Sequence, residues 1–121
     1  MNVELNHTII EAVDREAAAD FLAGILGLPV DPVKGPFVPI RLSNGVTLLY
    51  THADEVRSQH YAFLVGDKEF DAAMVRLRES GTDFWADPFH RQPGETNQMH
   101  GGRGVYFADP SGHNMELLTR G

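Results

Sequence analysis

His7-Thr-Ile-Ile-Glu-Ala-Val-Asp14-Arg-Glu16 and His60-Tyr-Ala-Phe-Leu-Val-Gly-Asp67-Lys-Glu69 are two versions of one pattern, displaced by 53 positions. Each opens with a histidine on a β-rich run and reaches an aspartate suited to cap a helix. Each then leads into a stretch that ends at a glycine, Gly27 or Gly81. A repeat of this kind predicts a domain built from two fused half-modules. Matched histidines on matched strands point to a metal site if a later acidic residue completes the set.

Working outward, Ala18, Phe21, Leu22, Ile25 and Leu26 recur at helical spacing after Asp14, and Gly27 with Pro29 and Pro32 stops the helix. Phe37–Leu42 and Val46–Thr51 read as strands joined by Ser43-Asn44-Gly45, a strong hairpin signal. His52–Gln59 is a polar connection. The unit then restarts with strand His60–Val65 and a helix capped by Asp67, with Phe70, Ala73, Met74 and Leu77 on its buried face. Thr82–Ala86 reads as a short strand, and Asp87–Gly102 as a long functional loop. Val105–Ala108 and Asn114–Thr119 form a last hairpin around Asp109-Pro-Ser-Gly112. The prediction is one α+β domain over residues 1–121, with two βαβββ modules (about 1–52 and 59–121) forming a curved mixed sheet that encloses a groove.

Composition narrows the function. A net charge of −7 argues against nucleic acid, which needs clustered Lys and Arg. The absence of cysteine excludes disulfides, thiolate ligands and cysteine nucleophiles. No signal peptide is visible, and no apolar run approaches the roughly 18 residues of a membrane helix. The expectation is a cytoplasmic protein acting on a small molecule, and at this size pairing with a second copy is natural.

Side chains alternate along a strand, so His7 shares its face with Leu5 and Ile9, and His60 with Ala62 and Leu64. Glu116 shares its face with Asn114 and Leu118, where a carboxylate is expensive to bury unless paired or liganded. If the halves fold as a pseudo-twofold pair, His7 and His60 approach the axis and Glu116 joins them. Two histidines and one carboxylate make a facial triad for Fe(II), Mn, Zn, Ni or Co, and ligand type does not choose among these. The other reading is a structural histidine, a solvated glutamate and a duplicated fold that has lost its metal.

Leu5-Asn-His7, Gln59-His-Tyr-Ala-Phe63 and Gly104-Val-Tyr-Phe-Ala-Asp-Pro-Ser-Gly-His-Asn-Met-Glu116 resemble the vicinal oxygen chelate superfamily over nearly the whole chain. That family includes glyoxalases, extradiol dioxygenases, fosfomycin-resistance transferases and metal-free bleomycin-binding proteins. The resemblance implies the glyoxalase/bleomycin resistance/dioxygenase fold, a divalent metal on His7, His60 and Glu116, and a homodimer. It also implies that the metal can be shared, with His7 of one chain joining His60 and Glu116 of its partner.

Departures from the subfamilies matter. Glyoxalase I uses a fourth ligand, a Glu at the end of the first module, whereas Val46–Thr51 offers no carboxylate. Extradiol enzymes place a histidine seven to nine residues before the Tyr that matches Tyr106. Asn97, Gln98 and Met99 stand there, while His100 is one residue too close. His100 is the substitute through loop movement, and His90 is a further candidate. Fosfomycin transferases carry cations in this loop, where only Arg91 and Arg103 are basic. Tyr106 is a candidate to orient substrate or transfer a proton, or else a sheet aromatic packed against Phe107 or Trp85. His113, in the turn, reads as structural, and Gly101-Gly-Arg-Gly104 lacks the Lys and helix of a phosphate loop. The combined expectation is a metal-dependent dioxygenase (oxidoreductase) or glyoxalase-like lyase whose substrate chelates through vicinal oxygens. The alternative is a binding protein of the bleomycin-resistance type, metal-free or metal-assisted, for an antibiotic or aromatic ligand.

Overall fold

A computed structural model describes residues 2–121. The chain divides into two compact units, Met1–Arg57 and Ser58–Gly121, with the break inside the polar connection 52–59.

The first unit runs β1 (His7–Ala12), α1 (Arg15–Leu26), β2 (Val38–Arg41) and β3 (Thr47–His52). Asp14 caps α1 by accepting the Ala17 amide, and Gly27, at φ 73°, takes the left-handed conformation that ends it. Its buried residues, Ala18, Ala19, Leu22, Ala23 and Ile25, form one stripe. The sheet order is β1-β3-β2, with β3 parallel to β1 and antiparallel to β2. Strand alternation buries Ile10, Ala12, Val38, Ile40, Leu48 and Tyr50 on the helix side. It sends His7, Ile9 and Glu11 to the other face, where all three are exposed. The β2–β3 turn is made at Ser43-Asn44-Gly45, and Gly45, at φ 88°, meets a backbone demand that other residues rarely satisfy.

The second unit repeats this plan as β4 (His60–Leu64), α2 (Asp67–Glu79), β5 (Gly104–Ala108) and β6 (Asn114–Leu118), with sheet order β4-β6-β5. Phe70, Ala73, Met74 and Leu77 of α2 are buried, as are Phe63, Val105, Phe107, Met115 and Leu117 of the sheet. The α+β expectation is met by two mixed three-stranded sheets and two helices.

Two local expectations need correction. Asp67 does not cap α2. Gly66 is the N-cap without a side-chain bond, and the Asp67 carboxylate, inside the first turn, binds Arg103 at 3.0 Å. Thr82–Ala86 does not form a strand; Trp85 alone pairs as isolated bridges with Tyr106 and Pro93. Pairing ends there because Asp87 turns the chain, its carboxylate collecting the amides of Arg91 and Gln92 at 2.8–3.0 Å. No helix among the described residues is long and apolar enough to cross a membrane.

Candidate metal centre

The candidate residues of the second unit gather on one face of its sheet. Because β4 and β6 are parallel with Ala62 opposite Glu116, His60 lies diagonally across from Glu116 on one face. His60 Nε2 and Glu116 Oε1 are 2.9 Å apart. β5 is antiparallel to β6 with Tyr106 opposite Glu116, so its side chain joins the same face. The Tyr106 hydroxyl donates to the Glu116 carboxylate, and its ring lies 5.9 Å from the His60 ring. Burial, followed by the charge and hydrogen bond of Glu116, pushes the Tyr106 hydroxyl up to about 12. It therefore stays protonated at neutral pH.

Glu116 is only 8% exposed, so its carboxylate depends on the partners this face supplies, the His60 imidazole and the Tyr106 phenol. A nitrogen and an oxygen donor facing each other, with His60 half-exposed to one side, suit a borderline divalent ion. His7 stands on β1 of the first unit, exposed, with Nδ1 bonded to Asn6 Oδ1 at 2.7 Å. If Nδ1 donates in that bond, Nε2 is left as the ligating nitrogen. Among the described residues, no three His, Asp or Glu side chains gather as a metal-binding group. The register also locates the counterpart of Glu116 in the first unit. It is Leu49, opposite Ile9, so the position equivalent to Glu116 carries no carboxylate there, and the exposed Glu11 lies further along β1.

The loop after α2 adds residues to this face. His90, at φ 58°, lies flat on Trp85 (3.8 Å between ring centres, 4° between planes). Its Nε2 bonds Asn114 Oδ1 at 3.1 Å, while Asn114 Nδ2 donates to the Pro88 carbonyl at 3.2 Å. Asn114 is the residue directly opposite His60. His90 thus reaches the His60–Glu116 face through Asn114. Strand alternation already puts Asn114 on the face of Glu116, but its link to His90 and the stack on Trp85 come from the loop's fold and could not be read from periodicity. His100, also left-handed at φ 59°, is exposed in the 3-10 turn Met99–Gly101 and makes no hydrogen bond or ion pair among the described residues.

Arg103 is committed elsewhere. It reaches Asp71 at 2.6 Å and Asp67 at 3.0 Å and lies 4.6 Å over the Phe70 ring. Arg91 sits over Phe89 at 5.5 Å. Gly104 is close-packed for a different reason than phosphate binding: a Cβ there would meet Asn97 Oδ1 at 2.6 Å.

Comparison with known proteins gives a consistent result. The structure matches that of "Oxidase ChaP-H2" with a TM-score of 0.97 and 55% identity, covering 100% of this chain and 96% of the other. Glutathione transferase FosA of Serratia marcescens is 28% identical over 120 residues, covering 93% of this chain and 78% of the relative. Metallothiol transferase FosB of Shouchella clausii is 36% identical over 61 residues, half of this chain and 37% of that protein. These relatives are enzymes by name. The model of the Glyoxalase/Bleomycin resistance protein/Dioxygenase superfamily matches residues 4–117, and the chain belongs to that superfamily.

Proposed function

We propose that this chain is a metal-dependent enzyme that acts oxidatively on a small oxygenated metabolite binding through two neighbouring oxygens. The observation that carries this reading is the His60–Glu116 pair, 2.9 Å apart on an open sheet face with Tyr106 beside it. His60 and Glu116 would hold a divalent ion, with His7 of a second copy as third ligand. A divalent ion there supplies Lewis-acid polarisation of a chelating substrate. Val3, Leu5 and Ile9, all exposed at the alternate spacing of His7, support a second copy at this edge.

Around that centre the chain's own residues bind and orient. Tyr106 keeps its proton and acts as a donor toward Glu116 or a substrate oxygen. Of the two loop histidines, His90 has the better geometry for carrying a proton. Its ring is fixed by Trp85 and Asn114, whereas His100 stands in an exposed turn. The 55% identity to an oxidase favours oxidative chemistry over thiol transfer. The pairing of Arg103 with Asp67 and Asp71 supports the same choice, because it removes a cation that a phosphonate would need.

The test is cobalt(II) titration of chelator-treated protein, with oxygen-uptake assays on catechols and a methylglyoxal hemithioacetal assay as the lyase control. We expect saturable cobalt binding that His60→Ala and Glu116→Gln abolish. Wild-type protein that binds no cobalt would leave a metal-free binding module in place of an enzyme.

A further inference from the structure

His113 is 1% exposed, and the reaction proposed above gives it no part. Its surroundings are specific. The Gln59 amide donates to His113 Nδ1 at 3.0 Å, and the ring meets Tyr61 edge-on at 5.5 Å and 82°. Gln59 and Tyr61 are the two chain neighbours of His60. The His113 backbone amide in turn donates to Asp109 Oδ1 at 2.8 Å, which fixes the residue's backbone in the β5–β6 turn. Two further bonds clip the same place: Asn114 N–H to the Gln59 carbonyl at 2.8 Å, and Ser58 Oγ to the Gly112 carbonyl at 2.9 Å.

The first unit shows what is distinctive here. It has the equivalent backbone bond, Thr47 N–H to the Asn6 carbonyl at 3.0 Å. Val46, whose side chain has no acceptor, stands where the second unit has His113. There the histidine is held by its own neighbour, through the Asn6–His7 side-chain bond. His60 has no such bond to Gln59, and its Nε2 faces Glu116. Glu116 holds the tip of its ring, while the backbone on either side sets where the side chain starts, and His113 grips that backbone. A ring nitrogen that accepts an amide carries no proton itself, so the bond also fixes the tautomer of His113.

We infer that His113 is a positioning residue for the metal ligand His60, acting through the Gln59 amide and the Tyr61 ring. The inference rests on the proposed metal site. Outer residues that orient a ligand typically contribute about 10- to 100-fold in metal affinity. Two variants test it. His113→Phe fills the space without an acceptor, whereas His113→Asn places an oxygen at the δ position that Nδ1 occupies.

Cobalt(II) affinity by calorimetry and Gln59 amide exchange in metal-free protein are the readouts, with near-UV circular dichroism checking the fold. We expect H113F to weaken cobalt binding by about 10- to 100-fold and to accelerate Gln59 exchange, with H113N restoring both. A folded H113F with wild-type affinity overturns the positioning role, and so does an H113N as weak as H113F. If H113F does not fold, a folded H113N decides: near-wild-type cobalt affinity with a protected Gln59 amide supports the role, and loss of either overturns it. Wild-type protein that binds no cobalt overturns the metal site itself, and this inference with it.

Discussion

Glu116 sets the electrostatics of the site. A carboxylate this deeply withdrawn costs several kcal/mol unless its lone pairs are occupied, and His60 and Tyr106 occupy them from either side. Tyr106→Phe removes one donor and leaves the shape intact. Metal-free Y106F is expected to lose about 1.5–3 kcal/mol of stability, the usual worth of a hydrogen bond to a charged group. Urea unfolding at neutral pH measures it, and an unchanged midpoint would show that the hydroxyl is idle. Strand alternation was enough to put Glu116 on the face of Asn114 and His60 on the face of Ala62. Periodicity could not supply the diagonal register that makes them neighbours, or the β5 pairing that delivers Tyr106. His90 was still further from reach, since its place depends on a left-handed backbone, a stack on Trp85 and an aspartate-capped turn.

Among the elements, the end of β3 is held by a clasp whose strength depends on pH. His52 Nδ1 donates to the Val13 carbonyl at 2.8 Å and Nε2 to Asp54 Oδ1 at 2.9 Å. Both bonds together require the doubly protonated ring. Its pKa is raised above 6.5, first by the bond to Asp54 and then by the Val13 carbonyl. A raised folded-state pKa stabilises fully below 6.5, and the effect fades as pH rises through the higher folded value. Thermal melts of wild type and His52→Gln should therefore differ most below pH 6.5 and converge above it. The difference is small because both partners are exposed. A gap that widens with rising pH would contradict the assignment. Element boundaries were legible where their signals are local: Asp14 and Gly27 bracket α1 through bonds within a few residues. Asp67 misled because α2 is capped one residue earlier, at Gly66, which leaves the carboxylate inside the first turn, where Arg103, 36 positions away, takes it.

Across the whole molecule, the duplication leaves a histidine on an outward sheet face of each unit, but a carboxylate diagonally across from it in the second unit alone, since Leu49 stands where the second unit has Glu116. On the proposed reading, a complete ligand set draws on both kinds of unit. Exposed Val3, Leu5 and Ile9 beside His7, and exposed Leu64 on β4, are the apolar surface that a second copy would cover. In a twofold dimer each His7 would meet the partner's His60–Glu116 pair, giving two equivalent sites. Mixing decides this. His7→Ala and His60→Ala chains each lack one ligand, and neither homodimer should bind cobalt. After subunit exchange, verified by native mass spectrometry, a heterodimer holds one intact site, with His7 from one chain and His60 from the other. Random exchange of equal amounts then restores about one quarter of wild-type cobalt capacity. A site built within a single chain restores none, because every chain in the mixture is short of a ligand.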